Sequence, residues 1–229
     1  MLTYLFICLS YFNTVDFATI FGEDYQKAKI FCIEHKAEIE KKANEYKLPA
    51  NELTAIIFPE LIRYSTFQNF FETKALEYVY VQKGSAVADF SIGHFQMKPS
   101  FVEALELTIT ENITLNEQFG HLLISTSYTI SKQRETRLER LQKLSWQLDY
   151  LCCFYVLSKQ KFKRTLIVLN SQQKFKFLAT AYNTGFHKSP TAIEKAMHQA
   201  SYPYGSKYPS SQQYIYAAVA WDYYQKQQS

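Results

Sequence analysis

Hydrophobic side chains recur along most of the chain at intervals of three or four residues, which is typical of amphipathic helices. The most regular stretch predicts one long helix over 131–158, with Ser131 as its amino-terminal cap. A second stretch, rich in charged residues and good helix formers, predicts a helix over 24–46. Its apolar stripe consists of Ile30, Ile33 and Ala37. The pattern therefore predicts a mainly α-helical protein.

Proline and asparagine residues indicate where further helices begin and end. Pro49 breaks the helix that precedes it, and Asn51 is a suitable cap for the next one. That next helix contains Pro59, which predicts a bend or an early stop. Residues 70–83 are predicted to form another helix, with a strand over 78–81 as the alternative.

The segment between Gly84 and Pro99 has no helical pattern, so any small β element is expected in residues 85–98. Pro99 is well suited to the first turn of a following helix. Asn170 begins a later helix, and Gly185 is predicted to close it as a left-handed cap. The remaining predicted elements are a loop over 201–211 and a last helix over 212–224.

Composition excludes several classes of protein. The chain has 229 residues, of which 47% are hydrophobic and 20% charged, so it is not a disordered chain. Its length suits one sizeable domain with a core that needs no metal or disulfide. The net charge of +4 is too small and too dispersed to indicate nucleic-acid binding.

The amino terminus has the pattern of an export signal. Residues 2–11 form an apolar run of about the length of a signal-peptide core, too short to span a membrane. We therefore expect residues 1–20 to be a signal peptide or, alternatively, a buried apolar segment. Residues 21–229 are expected to form a single domain.

The cysteine and histidine residues show no spacing that is typical of a metal site. The four cysteines include an adjacent pair, Cys152 and Cys153, which cannot readily bond to each other. None of the five histidines belongs to a zinc-binding pattern. The sequence therefore predicts no metal and no cofactor, and small core residues for the cysteines.

Three short segments contain residues that suit catalysis or binding. In the first, Glu60 follows an apolar helix, where burial would raise the pKa of its carboxyl and favour a general acid. The alternative is a helix-end residue paired with Arg63. In the second, Gly93 allows close approach of the backbone, and Gln96 offers both a donor and an acceptor. The third ends a helix at 181–185.

In that third segment, Tyr182 and Asn183 place a phenol and an amide just before a glycine. Taken singly, each of the two later segments is equally consistent with turn and capping chemistry. In order, a Glu after an apolar helix, then Gly-x-x-Gln-x-x-Pro over 93–99, then Ala-Tyr-Asn-x-Gly over 181–185 resemble the soluble (SLT) lytic transglycosylases and the related goose-type lysozymes. The resemblance covers about 55–190.

This resemblance implies a lysozyme-like fold with a short irregular or β region lining the cleft. It also implies cleavage of the β-1,4 bond between N-acetylmuramic acid and N-acetylglucosamine, leaving a 1,6-anhydro end. Glu60 would be the single acid and base, and Tyr182 would hydrogen-bond near it and position it. The substrate-binding residues would be Gly93, Phe95, Gln96, Tyr182 and Asn183.

The family's substrate implies peptidoglycan strands as the partner, export to the periplasm or cell envelope, and possible membrane- or wall-associated machinery. Two other functions remain open. Leu61 stands where the family has Ser, which favours a non-catalytic wall-binding or scaffold protein. A hydrolytic lysozyme would need a second carboxylate, for which Asp89 is the candidate, with loop capping as its alternative. The basic run 159–164 is a solvated face or a contact for acidic wall peptides.

Overall fold

A computed structural model describes residues 15–66, 70–203 and 209–228. Within these ranges the protein is mainly α-helical, as predicted, and its only β pairings are two isolated antiparallel bridges. The helices are α1 (Phe17–Glu34), α2 (Lys36–Glu45), α3 (Ala50–Thr66), α4 (Phe70–Lys83), α5 (Pro99–Glu111), α6 (Ile113–Phe119), α7 (Ile130–Leu141), α8 (Leu144–Lys161), α9 (Lys163–Ile167), α10 (Ser171–Thr184), α11 (Pro190–Ala196) and α12 (Tyr216–Lys226).

Helix α3 lies at the centre of the core. Residues 53–62 are all buried, because α1, α2, α8, α10 and α12 pack around this stretch. The helix continues through Pro59 to Thr66, so the predicted early stop is wrong. Two tyrosines of the carboxyl-terminal segment bond to its carbonyls: Tyr202 donates to the carbonyl of Pro59, and Tyr216 to that of Ile56 at 2.8 Å.

The predicted helix over 24–46 is two helices, α1 and α2, separated at His35. The predicted buried stripe is also wrong, because Ile30, Ile33 and Ala37 are exposed. The residues that face the core instead are Tyr25, Ala28, Cys32, Ile39 and Ala43. These side chains have the helical spacing that packs against α3, and the two exposed isoleucines lie on the other face.

The predicted long helix over 131–158 is also two helices, α7 and α8, and Thr129 rather than Ser131 caps the first. The break falls at Lys143, whose backbone is extended (φ −110°, ψ 128°). The buried side chain of Gln147 donates to the carbonyl of Leu141 at 2.5 Å. A side-chain donor therefore bonds to a carbonyl at the end of α7, where the backbone ladder is interrupted.

The segment between α4 and α5 is short and irregular, as expected, and contains the bridge between Ile92 and Met97. Residues 78–81 lie within α4, so the alternative of a strand there is wrong. Helix α10 ends at Gly185, whose φ of 104° is positive as predicted but whose ψ of 120° lies outside the left-handed helical region. The last helix begins at Tyr216 rather than 212, because Tyr214 first pairs with Tyr202 in the second bridge.

A buried ion-pair network joins α5 to α7 and α8. The guanidinium of Arg137 donates to Glu106 at 2.5 Å and to the Tyr80 hydroxyl at 2.7 Å. The Tyr150 hydroxyl donates to the other oxygen of Glu106 at 2.9 Å. Every charged group in this cluster has a partner, which is the condition for burying charge without a large penalty.

Cys32, Cys152 and Cys153 are free thiols buried in the core. Burial raises the pKa of the Cys32 thiol to about 11 and that of Cys152 to about 12. In the part of the chain that the structure describes, no helix combines the length and the apolar character needed to cross a membrane. The predicted signal segment, 1–20, lies largely outside the described residues, and export stays a prediction.

Candidate active site

Glu60 lies on the buried stretch of α3, where only 4% of its surface is exposed. One carboxyl oxygen is 3.4 Å from Nη1 of Arg63, and the other accepts a hydrogen bond of 3.5 Å from the amide of Asn183. Burial raises the pKa of this carboxyl above its usual value, although the charge of Arg63 and hydrogen bonds from Asn183, Arg63 and Tyr216 oppose the shift. The net effect is a raised pKa, so this carboxyl holds its proton to a higher pH than an exposed glutamate does.

A cleft of about 480 Å³ opens over Glu60, within the size range of small-molecule sites. Its lining comes from α3, the irregular segment before α5, the start of α5, and the end of α10 with the residues that follow. The lining residues that carry polar or charged side chains are Glu60, Arg63, Asp89, Ser91, Gln96, Lys98, Ser100, Tyr182, Asn183, Thr184, His187 and Lys188. Segments that are far apart in the sequence therefore meet around one buried carboxyl.

The turn over 92–97 forms one wall of the cleft. Gln96 has a positive φ of 50°, and its side-chain amide donates to the carbonyl of Gly93 at 2.9 Å. Gly93 also has a positive φ, of 68°, and a Cβ there would lie 1.7 Å from the amide nitrogen of Gln147. Gln147 in turn accepts a hydrogen bond of 2.8 Å from the backbone N–H of Phe95. The glycine thus permits close packing of the turn against α8.

Tyr182 supports this turn from α10. Its hydroxyl donates to the carbonyl of Phe95 at 2.7 Å, which is its one hydrogen bond among the described residues. Burial, and then the nearby charge of Glu60, raise the pKa of Tyr182 well above its usual value. The phenol therefore stays neutral and holds the turn, and the side chain in direct contact with Glu60 is that of its neighbour, Asn183.

Asp89 lies in the same cleft but is already engaged by the start of α5. Its two carboxyl oxygens accept hydrogen bonds from the backbone N–H of Ser100 at 3.0 Å and from the Ser100 hydroxyl at 2.8 Å. Lys98 lies 3.8 Å away. This geometry is that of a carboxylate that caps the amino terminus of a helix.

Four of the six predicted site residues, Glu60, Gln96, Tyr182 and Asn183, line the cleft. Phe95 is fully buried beneath it and contributes its backbone groups, as described above. The side of Gly93 on which other residues carry a Cβ faces Gln147 of α8. The predicted residues thus separate into a layer that faces the cleft and a layer that supports it.

Several residues at the site carry no local sequence signal and were not predicted. Ser91 accepts a hydrogen bond of 3.3 Å from Arg63, and His187 and Lys188 line the wall after α10. Gln147 and Tyr216 lie on helices outside the three segments. Gln147 bonds to the backbone of Phe95, and Tyr216 bonds to Glu60. For these residues the chain alone offers no pattern, because their position depends on how helices pack.

His94 occupies an aromatic site beside the turn. Its ring lies 4.7 Å from that of Phe31 and 4.5 Å from that of Tyr64, and its Nδ1 is buried without a partner among the described residues. Burial, followed by the charge of His35, lowers the pKa of His94. The side chain is therefore a neutral packing residue that joins α1 and α3 to the turn.

The described residues contain no group of three or more His, Cys, Asp or Glu side chains that could hold a metal ion. Comparisons of the chain with protein-family models, with curated proteins and with solved structures found no match. The interpretation of the site therefore rests on its own geometry and on the order of the three segments.

Proposed function

We propose that the protein is a lytic transglycosylase of lysozyme-like fold that cleaves peptidoglycan between N-acetylmuramic acid and N-acetylglucosamine. One observation carries the proposal: three segments that resemble the family's motifs, separated by long stretches of chain, converge on one cleft around the buried carboxyl of Glu60.

In the proposed reaction, Glu60 donates its proton to the glycosidic oxygen as the bond to C1 of the muramoyl residue breaks. The carboxylate then accepts the proton of the muramoyl O6 hydroxyl while that oxygen bonds to C1, which closes the 1,6-anhydro ring. No water is consumed and Glu60 ends as it began. Because the attacking hydroxyl belongs to the same sugar, its effective concentration is high and it competes well with water.

The raised pKa of Glu60 supports the first step, since the acid must hold its proton at working pH. The guanidinium of Arg63, 3.4 Å away, would stabilise the carboxylate that Glu60 becomes once its proton has left. Gln96 and Asn183 direct polar side chains into the same cleft, where they would bind sugar hydroxyl or acetamido groups.

Two other functions would use the same cleft. Leu61 and the ion pair between Arg63 and Glu60 favour a binding protein that retains the cleft without catalysis. A hydrolytic lysozyme would use Asp89 as its second carboxylate, but both oxygens of that side chain are engaged by Ser100. The single-carboxylate reaction therefore uses the site as it stands.

The test is digestion of purified peptidoglycan followed by mass spectrometry of the released muropeptides. The proposal expects products lighter by one water than those of a hydrolase. Glu60→Gln keeps the shape of the side chain but removes the transferable proton, so activity should fall by about 10²–10⁴-fold. Asp89→Asn should cost far less. Glu23→Gln is the matched control, because that carboxylate is 93% exposed and lies away from the cleft.

Circular dichroism of each variant serves as the folding control. Full activity of Glu60→Gln would refute the assignment of the acid. Hydrolytic products together with an inactive Asp89→Asn would instead identify a two-carboxylate lysozyme. Binding of peptidoglycan by the parent protein without release of any muropeptide would identify the non-catalytic binder.

A further inference from the structure

Charge is distributed very unevenly along this chain. Residues 150–193 contain seven Lys or Arg residues and no Asp or Glu. The rest of the chain has 18 of the 25 Lys and Arg residues against all 21 Asp and Glu residues. The net charge of +4 therefore conceals a strongly basic segment on a weakly acidic protein.

The fold gathers three of these cations, Lys159, Lys163 and Lys174, around one groove formed by the end of α8, α9 and the start of α10. Like these three, Lys161 and Arg164 on the same stretch of chain are exposed. None of the five forms an ion pair with a carboxylate in the described part of the chain, whereas Lys27, Lys36 and Lys132 elsewhere do. Their charges are therefore available to an external partner.

Two exposed aliphatic residues lie beside these cations, and one of them, Ile167, lines the same groove. Ile167 and Val168, at the turn between α9 and α10, are 71% and 80% exposed. The groove, of about 400 Å³, has Leu166, Phe175 and Leu178 among its lining residues. The one acidic residue among the described residues that line this groove is Glu52, which accepts a hydrogen bond from Tyr155 at 2.5 Å.

We propose that the surface around this groove, which we call the basic apex, binds the surface of a membrane that contains anionic lipid. Cations attract lipid phosphates, and exposed aliphatic side chains enter the boundary between headgroups and acyl chains. An acidic peptide or polymer in solution would satisfy the lysines but would leave Ile167 and Val168 in water. The combination of the two features favours a bilayer, and this inference does not depend on the proposed catalysis.

The test is flotation of the full chain with vesicles of phosphatidylglycerol and, separately, of phosphatidylcholine. The proposal expects binding to phosphatidylglycerol that weakens as salt is added, and little binding to phosphatidylcholine. Lys163→Gln/Lys174→Gln should lower the partition coefficient roughly 25-fold, at about fivefold for each charge removed near an anionic surface. Ile167→Ser/Val168→Ser should lower it about tenfold or more without altering charge.

Matched controls remove the same groups elsewhere. Ile113→Ser alters an isoleucine that is 80% exposed on another part of the surface, and Lys29→Gln/Lys41→Gln removes the same charge from exposed positions on α1 and α2. Both controls should bind like the parent. Equal losses in the control and test variants would overturn the proposal. Failure of the parent to float with phosphatidylglycerol, with lysine-dependent sedimentation on peptidoglycan instead, would overturn it in favour of a wall-binding face.

Discussion

Replacing Tyr182 by Phe would remove a single buried hydroxyl and leave the rest of the side chain in place. That hydroxyl donates to the carbonyl of Phe95 at 2.7 Å. The ring packs edge-on against Phe101 at 5.4 Å and Phe154 at 5.2 Å, and a phenylalanine ring keeps both contacts. The substitution therefore isolates the hydrogen bond that ties α10 to the turn over 92–97.

The expected loss of stability follows from the geometry of the acceptor. No other hydrogen bond to the Phe95 carbonyl exists among the described residues, so the variant leaves a buried carbonyl without a partner. Such a group costs about 1–3 kcal/mol in the free energy of unfolding. For a protein of this length, each kcal/mol lowers the melting temperature by about 2–4 °C. Urea unfolding should show a lower midpoint with an unchanged slope.

Tyr78→Phe is the matched control, because Tyr78 is 69% exposed and its substitution should change the free energy of unfolding by less than about 0.5 kcal/mol. Activity adds a second readout. If Tyr182 acts by holding the turn, Tyr182→Phe weakens substrate binding but leaves the pH profile of kcat where it was. Stability equal to that of the control, or a displaced pH profile, would refute this reasoning and indicate that the phenol acts on Glu60 directly.

Other substitutions test the buried charges. Arg137→Met should cost about 3–5 kcal/mol because it leaves the carboxylate of Glu106 buried and unpaired, and adding Glu106→Leu should recover most of that loss in urea unfolding. The raised pKa of Glu60 means that the native state keeps this proton when the unfolded chain has lost it. Glu60→Gln should therefore gain stability relative to the parent as pH rises above 4.5, and a constant difference would contradict that. The lowered pKa of His94 has the opposite consequence: stability is lost as pH falls below 6.5, and His94→Leu should lose less over that range in thermal unfolding.

Local sequence patterns predicted those parts of the fold that depend on local chemistry. Pro99 begins α5 and Asn170 caps α10 through its own side chain, because each acts on backbone groups within a few residues. Gly84, with a φ of 85°, follows the last residue of α4. The predictions for these three residues were confirmed. The predicted cap Asn51 is wrong, because α3 begins one residue earlier, at Ala50.

Errors arose where a tertiary contact outweighed the local pattern. The apolar spacing of 131–158 continues across Lys143 without a break, yet Gln147 bonds back to Leu141 and the helix is interrupted. Similarly, Pro59 does not end α3. Other helices pack around α3, and it continues past this proline to Thr66. Neither outcome can be read from a window of neighbouring residues.

In the candidate site, too, local motifs identified the residues, whereas packing determined their contacts. Glu60, Gln96, Tyr182 and Asn183 belong to contiguous motifs, so the sequence was enough to select them. Which of the aromatic or amide groups would touch the carboxyl was decided by packing: Asn183 does, whereas the Tyr182 hydroxyl bonds to the Phe95 carbonyl.

Cys32, Cys152 and Cys153 are buried in the core, so the rate at which these thiols react measures how often the core opens. A thiolate is the reactive form, and burial holds the pKa of Cys32 and Cys152 near 11 and 12, so neither reacts at an appreciable rate in the native state. An alkylating reagent would therefore label them at the rate at which the chain unfolds. In an oxidising compartment, packing of α8 would compete with oxidation of its thiols during folding. Until α8 packs, Cys152 and Cys153 are exposed and can form non-native disulfides.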